Sequence, residues 1–147
     1  MKVGIIGAGL SGLAAARELV AHGHEVVVIE KSRGVGGRLA TRRVEGTVVD
    51  HGAPVIDAAD GTELRAMIDG LSNADVIRLA ADTVAYRSGA TRLAKQMAEG
   101  LDVILGVRIA AVRATRTGFE LAGEQGNTHG VVDAVIVSAP APQAADL

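Results

Sequence analysis

The stretch that decides the fold is VGIIGAGLSGLAAARELVAHGHEVVVIEKSRGVGGR, residues 3–38. The apolar run KVGII, residues 2–6, predicts a short buried parallel strand. An alanine-rich helical pattern follows over residues 10–22, and Gly23 has the position of a left-handed helix end. A second apolar run, EVVVI over residues 25–29, predicts the next strand. The order strand, helix, strand indicates a βαβ unit, and therefore an α/β domain with a parallel sheet.

Three glycines lie in the turn between the first strand and the helix, with the spacing Gly7-x-Gly9-x-x-Gly12. In a dinucleotide-binding turn the first glycine permits the tight bend, and the second lets a pyrophosphate approach the backbone. The third lets the helix pack closely on the strand, and the free N–H groups of the helix attract a phosphate. Glu30 follows 18 residues after Gly12, where an acid accepts hydrogen bonds from ribose hydroxyls and repels a 2′-phosphate. The pattern therefore predicts a site for FAD or NAD and not for NADP.

A second glycine cluster, RGVGGRLAT over residues 33–41, distinguishes between the two cofactors. NAD requires no further glycine pair and arginine directly after the ribose acid. A diphosphate joined to a long ribityl chain requires more backbone amides and a cation along its length, and this segment supplies both. We therefore predict FAD, with Arg38 at the pyrophosphate, and we interpret Arg42 and Arg43 as a solvated basic surface.

Length and hydropathy limit the class of protein. The 147 residues are enough for one ordinary domain with its own core. A hydrophobic fraction of 48% and a mean hydropathy of +0.29 favour a globular fold over disorder. No apolar run reaches the ~18 residues that a membrane-spanning helix needs, and the chain starts with a strand pattern rather than a signal peptide. We expect a cytoplasmic protein that does not bind membranes.

Charge and rare residue types exclude several functions. A formal net charge of −2 gives no electrostatic footprint for nucleic acid or acidic lipid. The absence of cysteine excludes a disulfide, a thiolate metal site and a cysteinyl link to flavin. No set of His, Asp and Glu has metal-ligand spacing, so we expect no metal. Tyr86 and Phe119 are the only aromatic residues, so the chain contains no aromatic-lined substrate cage.

The remaining elements are predicted from periodicity and turn residues. Residues 42–50 predict a hairpin about Gly46, and residues 60–70 a short helix with Thr62 as its N-cap. Further along the chain we expect a strand or short helix at 74–80 and a helix at 89–100, on which Arg92 and Lys95 face the solvent. A parallel strand is expected at 101–105 and another at 134–138. Between them we expect an antiparallel meander of strands 107–114, 118–122 and 129–132.

Residues 7–43 and 50–54 carry a family resemblance. GAGLSGLAAARELVAHGHEVVVIEKSRGVGGRLATRR, followed by DHGAP, resembles the N-terminus of renalase-like proteins in the flavin amine oxidase superfamily. The resemblance continues at LGVRIAAV (105–112) and DAVIVSAPAPQAADL (133–147), and so spans essentially the whole chain. It implies non-covalent FAD, oxidation by hydride transfer to the flavin, and reoxidation by dioxygen. Amines or reduced, isomeric nicotinamides are the substrates that it implies.

The resemblance also assigns positions that spacing alone does not. It implies that Val107 meets the adenine edge and that the small residues Gly52 and Ala53 leave room for the flavin ring. His51 is a candidate proton carrier or flavin attachment point, although a packing or turn histidine is the favoured interpretation. The chain departs from the family at residues 54–56, where relatives have a polar residue and an aromatic pair. Contacts by those side chains are therefore not carried over.

The expected architecture is α/β, with an FAD-binding Rossmann-like parallel sheet of the glutathione-reductase type and a three-stranded meander. We expect one FAD-binding domain over residues 1–147, with residues 54–88 as a short remnant of a substrate-facing region. Similar proteins continue for roughly as many residues again. We therefore expect the cofactor-binding half of an oxidoreductase, a short natural protein, or one chain of a split enzyme, the sequence leaving these alternatives open.

The predicted cofactor-binding residues are Gly7, Ala8, Gly9, Leu10, Ser11, Gly12, Glu30, Lys31, Ser32, Gly36, Gly37, Arg38, Gly52, Ala53, Val107 and Ala139. No catalytic side chain is predicted, because the chemistry belongs to the flavin while the protein orients the substrate. The expected partner is a small-molecule substrate, and a homo-oligomer or a partner chain is expected to supply what this chain lacks. The alternative function is a non-catalytic or partner-dependent dinucleotide-binding module for FAD or for NAD, and the second glycine cluster argues against NAD.

Overall fold

A computed structural model describes residues 1–70 and 74–147 and shows an α/β fold. The strands are β1 (Lys2–Ile6), β2 (Glu25–Glu30), β3 (Thr41–Val44), β4 (Thr47–Asp50), β5 (Ile56–Asp57), β6 (Val76–Arg78), β7 (Thr83–Tyr86), β8 (Asp102–Leu105), β9 (Ile109–Thr115), β10 (Gly118–Gly123), β11 (Thr128–Val132) and β12 (Ala134–Val137). The helices are α1 (Leu10–Ala21), α2 (Glu63–Asp69), α3 (Thr91–Ala98) and α4 (Ala141–Ala144), and a 3-10 turn covers Gly37–Leu39.

The central sheet is parallel and has the strand order β12-β1-β2-β8. Its strands are short runs of valine and isoleucine, as expected for a sheet that is covered on both faces. The predicted strands at 2–6, 25–29, 101–105 and 134–138 are all confirmed. Because all the strands run the same way, their carboxyl ends meet at one edge, and the loops that follow β1, β2 and β12 lie together there.

Helix α1 covers one face of this sheet. Leu13 and Ala16 are completely buried in the core that the helix forms with β1 and β2. Burial of a leucine side chain stabilises the fold by about 2 kcal/mol. The helix ends at Ala21, one residue before the predicted end, and Gly23 then turns the chain with a φ of +77°. The predicted glycine termination is thus confirmed.

The antiparallel meander, with strand order β11-β10-β9, covers the opposite face. Leu121 and Val132 lie so close to β1 that a Cβ at Gly4 would be 2.8 Å from the Leu121 side chain. The meander is confirmed, but the predicted start of its first strand at residue 107 is wrong. Val107 lies outside the strand because its backbone N–H donates to the carbonyl of Glu30, which attaches it to the end of β2.

Residues 54–88 form more structure than the sequence pattern predicts. The short strands β5, β7 and β6 pair in that order as an antiparallel sheet, and Ile68 of α2 is completely buried beside it. The sequence left 74–80 open between strand and helix, and the structure shows strand β6. Strand β7, at the centre of this sheet, was missed because TVAY is too short for its alternation to stand out. Whether this unit faces a substrate stays a prediction.

The helices are short. Helix α3 begins at Thr91 rather than at the predicted residue 89, because Gly89 is in the left-handed region with a φ of +93°. The four-residue α4 was not predicted, although Pro140 and Pro142 correctly indicated the end of β12. Within residues 1–70 and 74–147 no helix has the length and apolar character needed to span a membrane.

The predicted N-cap of α2 is confirmed and can be tested. The Thr62 hydroxyl accepts a hydrogen bond from the backbone N–H of Arg65 at 3.2 Å and donates to the Ala59 carbonyl at 2.7 Å. We expect Thr62→Ala to lower the free energy of unfolding by about 1 kcal/mol, because an orphan N–H of the first turn loses its acceptor. Urea denaturation of the wild type and of Thr62→Ser, which keeps the acceptor, would check the result. Equal losses in the alanine and serine variants would contradict it.

Tyr86 in β7 gives a pH-dependent prediction. It is 4% exposed, and its hydroxyl has no hydrogen-bond partner among the described residues. Burial first, and then the Asp75 carboxylate, raise the pKa of Tyr86 to about 12. Between pH 10 and that value the unfolded chain loses the tyrosine proton while the folded chain keeps it, so stability falls as pH rises. We expect a loss of about 2 kcal/mol over this range.

Because Tyr86 is the only tyrosine, tyrosinate absorbance reports on it alone. We expect its titration midpoint to fall by about 2 pH units when urea unfolds the protein. Tyr86→Phe serves as the control: its stability at neutral pH should equal that of the wild type or exceed it by about 1 kcal/mol, since the change removes a buried hydroxyl that has no hydrogen-bond partner among the described residues. A midpoint near pH 10 in the folded protein would show that the hydroxyl is solvated.

Candidate cofactor-binding cleft

A cleft of about 600 Å³ lies at the carboxyl ends of the parallel strands. The loop between β1 and α1, the end of β2, the 3-10 turn, the start of β9 and the segment after β12 form its walls. Its volume is within the range of small-molecule and cofactor sites. This edge of a parallel sheet is also where ligands bind in open α/β folds.

The glycine loop holds helix α1 against the end of β1. Gly7 has a φ of +107°, and its N–H donates to the carbonyl of Ile29 at 2.8 Å. A Cβ at Gly12 would lie 2.1 Å from the carbonyl oxygen of Gly7. The third glycine is therefore required by packing between protein atoms, as the sequence pattern predicts.

Gly9 has a different environment. A Cβ at this position would meet no protein atom within 4 Å, and its φ of −76° is open to any residue. Gly9 is the N-cap of α1. The first N–H groups of a helix have no intrahelical acceptor, and in α1 no side chain at the N-cap accepts from them. Since nothing in the described structure requires a glycine here, the site has the form of a cradle for a ligand with negative charge.

Glu30 is held at the end of β2 by two backbone amides. Its Oε2 accepts from the N–H of Ala8 and its Oε1 from the N–H of Ser32, both at 2.8 Å. The residue is only 8% exposed but still lines the cleft. Each carboxylate oxygen has a second lone pair, so the fixed carboxylate can also accept hydrogen bonds from two hydroxyls of a ligand.

The second glycine cluster folds back on the first. The Gly36 N–H donates to the Ala8 carbonyl at 2.9 Å, and a Cβ at Gly37 would lie 3.3 Å from Gly9 Cα. Gly36 has a φ of +121°, which favours glycine. Arg38 follows at the cleft wall and forms no ion pair with any residue in the described ranges. The two clusters thus make one continuous surface with a free cation beside it.

Most of the predicted site residues line this one cleft. They are Gly7, Gly9, Leu10, Ser11, Glu30, Lys31, Ser32, Gly36, Gly37, Arg38, Ala53, Val107 and Ala139. Ala8 and Gly12 lie behind the surface, where they position the loop through backbone bonding and close packing. Gly52 does not line the cleft either: a Cβ there would be 1.9 Å from the Arg38 carbonyl oxygen, so it packs under the Arg38 turn. For all of the predicted site residues, contact with a bound cofactor stays a prediction.

Several cleft residues were missed from the sequence: Ile6, Ile29, Leu39, Arg108, Ile109, Ala110, Glu124, Ser138, Pro140, Gln143, Asp146 and Leu147. Ser138 was recognisable, as a polar residue directly after a parallel strand. Its hydroxyl lies 3.1 Å from the Ile6 carbonyl and 3.0 Å from that of Gly7, where it supports the glycine turn. Arg108 and Glu124 form an ion pair of 3.3 Å that depends on the meander's three-dimensional arrangement.

His51 lies away from this cleft. Its side chain lines a second groove on the other side of Ser32, and its N–H donates to the Ala40 carbonyl at 3.2 Å. The exposed histidine at the end of β4 agrees with the interpretation of a turn residue.

Comparisons with known proteins agree with this geometry. Residues 5–71 match the model of the NAD(P)-binding Rossmann-like domain family. A 4,4′-diapophytoene desaturase (4,4′-diaponeurosporene-forming) of Staphylococcus aureus is 42% identical over 60 residues, which are 41% of this chain and 12% of the desaturase. The sequence similarity is therefore confined to a minor part of the desaturase's length.

Solved structures resemble the chain over nearly its whole length. A putrescine oxidase variant with redesigned cofactor binding has a TM-score of 0.74 at 18% identity, covering 95% of this chain and 58% of that protein. A protein of Pyrococcus furiosus has a TM-score of 0.70 at 13% identity, covering 100% and 61%. An oxidoreductase of Methanosarcina mazei has a TM-score of 0.65 at 15% identity, covering 93% and 58%. The chain thus spans about three fifths of these proteins, and its fold is that of an α/β protein with a Rossmann-like dinucleotide-binding domain.

Proposed function

We propose that the chain is an FAD-binding oxidoreductase, or the cofactor-binding half of one, in the flavin amine oxidase and desaturase superfamily. The observation that carries the proposal is the folding of the second glycine cluster onto Gly9, with Arg38 alongside. This arrangement extends the phosphate cradle beyond the helix N-terminus. A cofactor that continues past its diphosphate into a ribityl chain needs that extension, whereas NAD does not. The matches to a dinucleotide-binding family, a desaturase and an oxidase support an oxidoreductase of this broad superfamily. The narrower, renalase-like assignment rests on sequence resemblance.

The residues fit FAD part by part. The N–H groups at the start of α1 and the open cradle at Gly9 would hold the diphosphate, with Arg38 as counter-charge. Glu30 would accept hydrogen bonds from the adenosine ribose, because two amides already fix its carboxylate. Val107 would lie at the adenine, and Ala53 at the ring system. Attachment would be non-covalent.

Held by Gly9, Glu30 and Arg38, FAD would supply the redox chemistry of this proposal, namely hydride acceptance from the substrate with dioxygen as the reoxidant. We propose an amine or a reduced nicotinamide-like molecule as the substrate. The chain's own part is to bind the cofactor and to orient it. No side chain in the described cleft is assigned to proton transfer. A cytoplasmic site of action, expected from sequence, belongs to the same proposal.

Turnover tests this function. FAD-loaded protein would be mixed anaerobically with primary amines, polyamines, and reduced nicotinamides including their isomers, while flavin absorbance is followed. We expect bleaching with one class, and recovery with peroxide formation when air is admitted. If FAD stays oxidised with every substrate, the proposed oxidoreductase activity is rejected, while the proposal of FAD binding still stands.

The edge strand β12 favours a second candidate, a module that needs a partner chain. Its outer side pairs with no strand in the described part of the chain, and Val137 is 37% exposed. An unpaired edge favours association with another polypeptide. Analytical ultracentrifugation with and without FAD would test this. A stable monomer with turnover would exclude the candidate, whereas a dimer whose dissociation abolishes FAD binding would support it.

A further inference from the structure

A basic groove lies beside the cofactor cleft, and the proposed function does not use it. The groove has a volume of about 920 Å³ and is walled by the segment after β2, by β3, by the end of β4 and by α3. Its charged side chains are those of Arg33, Arg42, Arg43, Asp75, Arg92 and Lys95, and His51 also lines it. Ser32 alone of the groove residues also lines the cofactor cleft, so the two sites are neighbours.

The positive charge of this groove is not neutralised by the protein. Asp75 is its one carboxylate, and its two oxygens already accept from the N–H and hydroxyl of Ser88 at 2.9 and 2.6 Å. Arg92 approaches Asp75 at only 3.8 Å. In the described ranges the other cations of the groove, Arg33, Arg42, Arg43 and Lys95, have no ion-pair partner. This concentration of charge contrasts with the chain's net charge of −2.

The floor of the groove is held together by side-chain hydrogen bonds between β3 and the start of α3. The backbone N–H of Thr41 donates to the Thr91 hydroxyl at 2.8 Å, and the N–H of Thr91 donates back to the Thr41 hydroxyl at 3.1 Å. The Asp50 carboxylate accepts from the Thr41 hydroxyl and from the Ala90 N–H. At Gly89 a Cβ would lie 2.2 Å from the Thr41 side chain, so β3 and the turn before α3 are in direct contact. The walls that carry the cations are thus fixed relative to each other.

We propose that this groove binds a soluble ligand bearing a di- or triphosphate group. Guanidinium groups match phosphate oxygens with paired hydrogen bonds, and the groove supplies several of them with a lysine. A ligand with a single carboxylate would leave most of these cations without a counter-charge. Each phosphate brings a charge of about −1 to −2, so two or three phosphates balance the unpaired cations. The concave shape and fixed floor favour a small ligand over a flat membrane surface.

Calorimetric titration with tripolyphosphate tests the proposal, with FAD-saturated protein and with protein to which no FAD is added. We expect saturable binding at low salt that weakens as salt rises, since these cations are exposed. Arg42→Gln and Lys95→Gln should each weaken it about tenfold or more, because each removes a charge-assisted hydrogen bond. Both positions are exposed, so the variants should fold. Arg116→Gln, at an exposed arginine in the turn before β10, is the charge-matched control and should change affinity less than about twofold.

Three results would overturn the proposal. Equal weakening in Arg116→Gln would show non-specific attraction. Loss of binding in Arg38→Gln, with Lys95→Gln unaffected, would place the tripolyphosphate in the cofactor cleft. Co-sedimentation with anionic phospholipid vesicles, without binding of free tripolyphosphate, would identify a membrane surface as the partner. Amide NMR shifts confined to residues 40–43 and 91–95 would support the groove independently, whether or not the chain binds FAD.

Discussion

Alanine at position 30 is expected to weaken FAD binding by about 100-fold or more. In the wild type the Glu30 carboxylate is fixed by two amides at 2.8 Å, and the residue lines the cleft. Removing a charged acceptor shared by two ribose hydroxyls costs about 1.5–3 kcal/mol for each hydrogen bond, and 1.4 kcal/mol is a factor of ten in affinity. Calorimetric titration of the apoprotein with FAD would measure the loss.

Glu30→Ala should also destabilise the fold, because the N–H groups of Ala8 and Ser32 lose their acceptor. We expect the free energy of unfolding without FAD to fall by about 2–4 kcal/mol, and the titration is therefore done where the variant is folded. Glu25→Ala, at the exposed start of the same strand, is the control and should leave both quantities within about 0.5 kcal/mol of the wild type. Unchanged FAD affinity in folded Glu30→Ala would show that the ribose lies elsewhere.

The glycines of the first turn should separate binding from stability. Gly9→Ala is expected to change the free energy of unfolding by less than about 1 kcal/mol, since the new methyl group meets no protein atom within 4 Å and the weaker N-cap is offset by the lower entropy of the unfolded chain. It should nevertheless weaken FAD binding by about 10- to 100-fold, because the methyl group occupies the approach of the pyrophosphate.

Gly12→Ala is expected to have the opposite primary effect. Its methyl group would lie 2.1 Å from the Gly7 carbonyl oxygen and 2.7 Å from the Ser138 hydroxyl, so α1 must shift. We expect a loss of about 1–3 kcal/mol in unfolding free energy, and a loss of FAD affinity that follows from the displaced helix. Thermal and urea unfolding of both apoproteins, paired with FAD titration, would check the contrast. A destabilised Gly9→Ala protein with normal FAD affinity would contradict the ligand cradle.

Local spacing was sufficient for the βαβ unit and for the residues that its loops carry. The strand runs, the glycine turn, Glu30 and the second glycine cluster lie within residues 2–41, and short loops bring them to one sheet edge. The alternation of apolar residues was equally informative for the meander, and residue type was informative for the Thr62 cap. Both features depend on residues that are near each other in sequence.

Long-range contacts explain what the sequence did not predict. The Arg108–Glu124 ion pair and Leu147 reach the cleft only because the meander folds over the sheet. Gly52 was assigned to the region of the flavin ring. In the structure a side chain at this position would collide with the Arg38 carbonyl, a contact that no spacing rule describes. Arg42 and Arg43 are exposed, in agreement with their interpretation as a solvated basic surface, but the groove that they form was not predicted. Their opposition to Lys95, contributed by α3, depends on the pairing of Thr41 with Thr91.

The most direct test of the cofactor assignment is the FAD content of the purified protein. We expect a yellow protein, or a colourless one that takes up added FAD, with saturation at one FAD per chain. Denaturation should release the flavin intact, because attachment is non-covalent. A folded protein that binds NAD but takes up no FAD at saturating concentration would contradict the assignment made from the second glycine cluster.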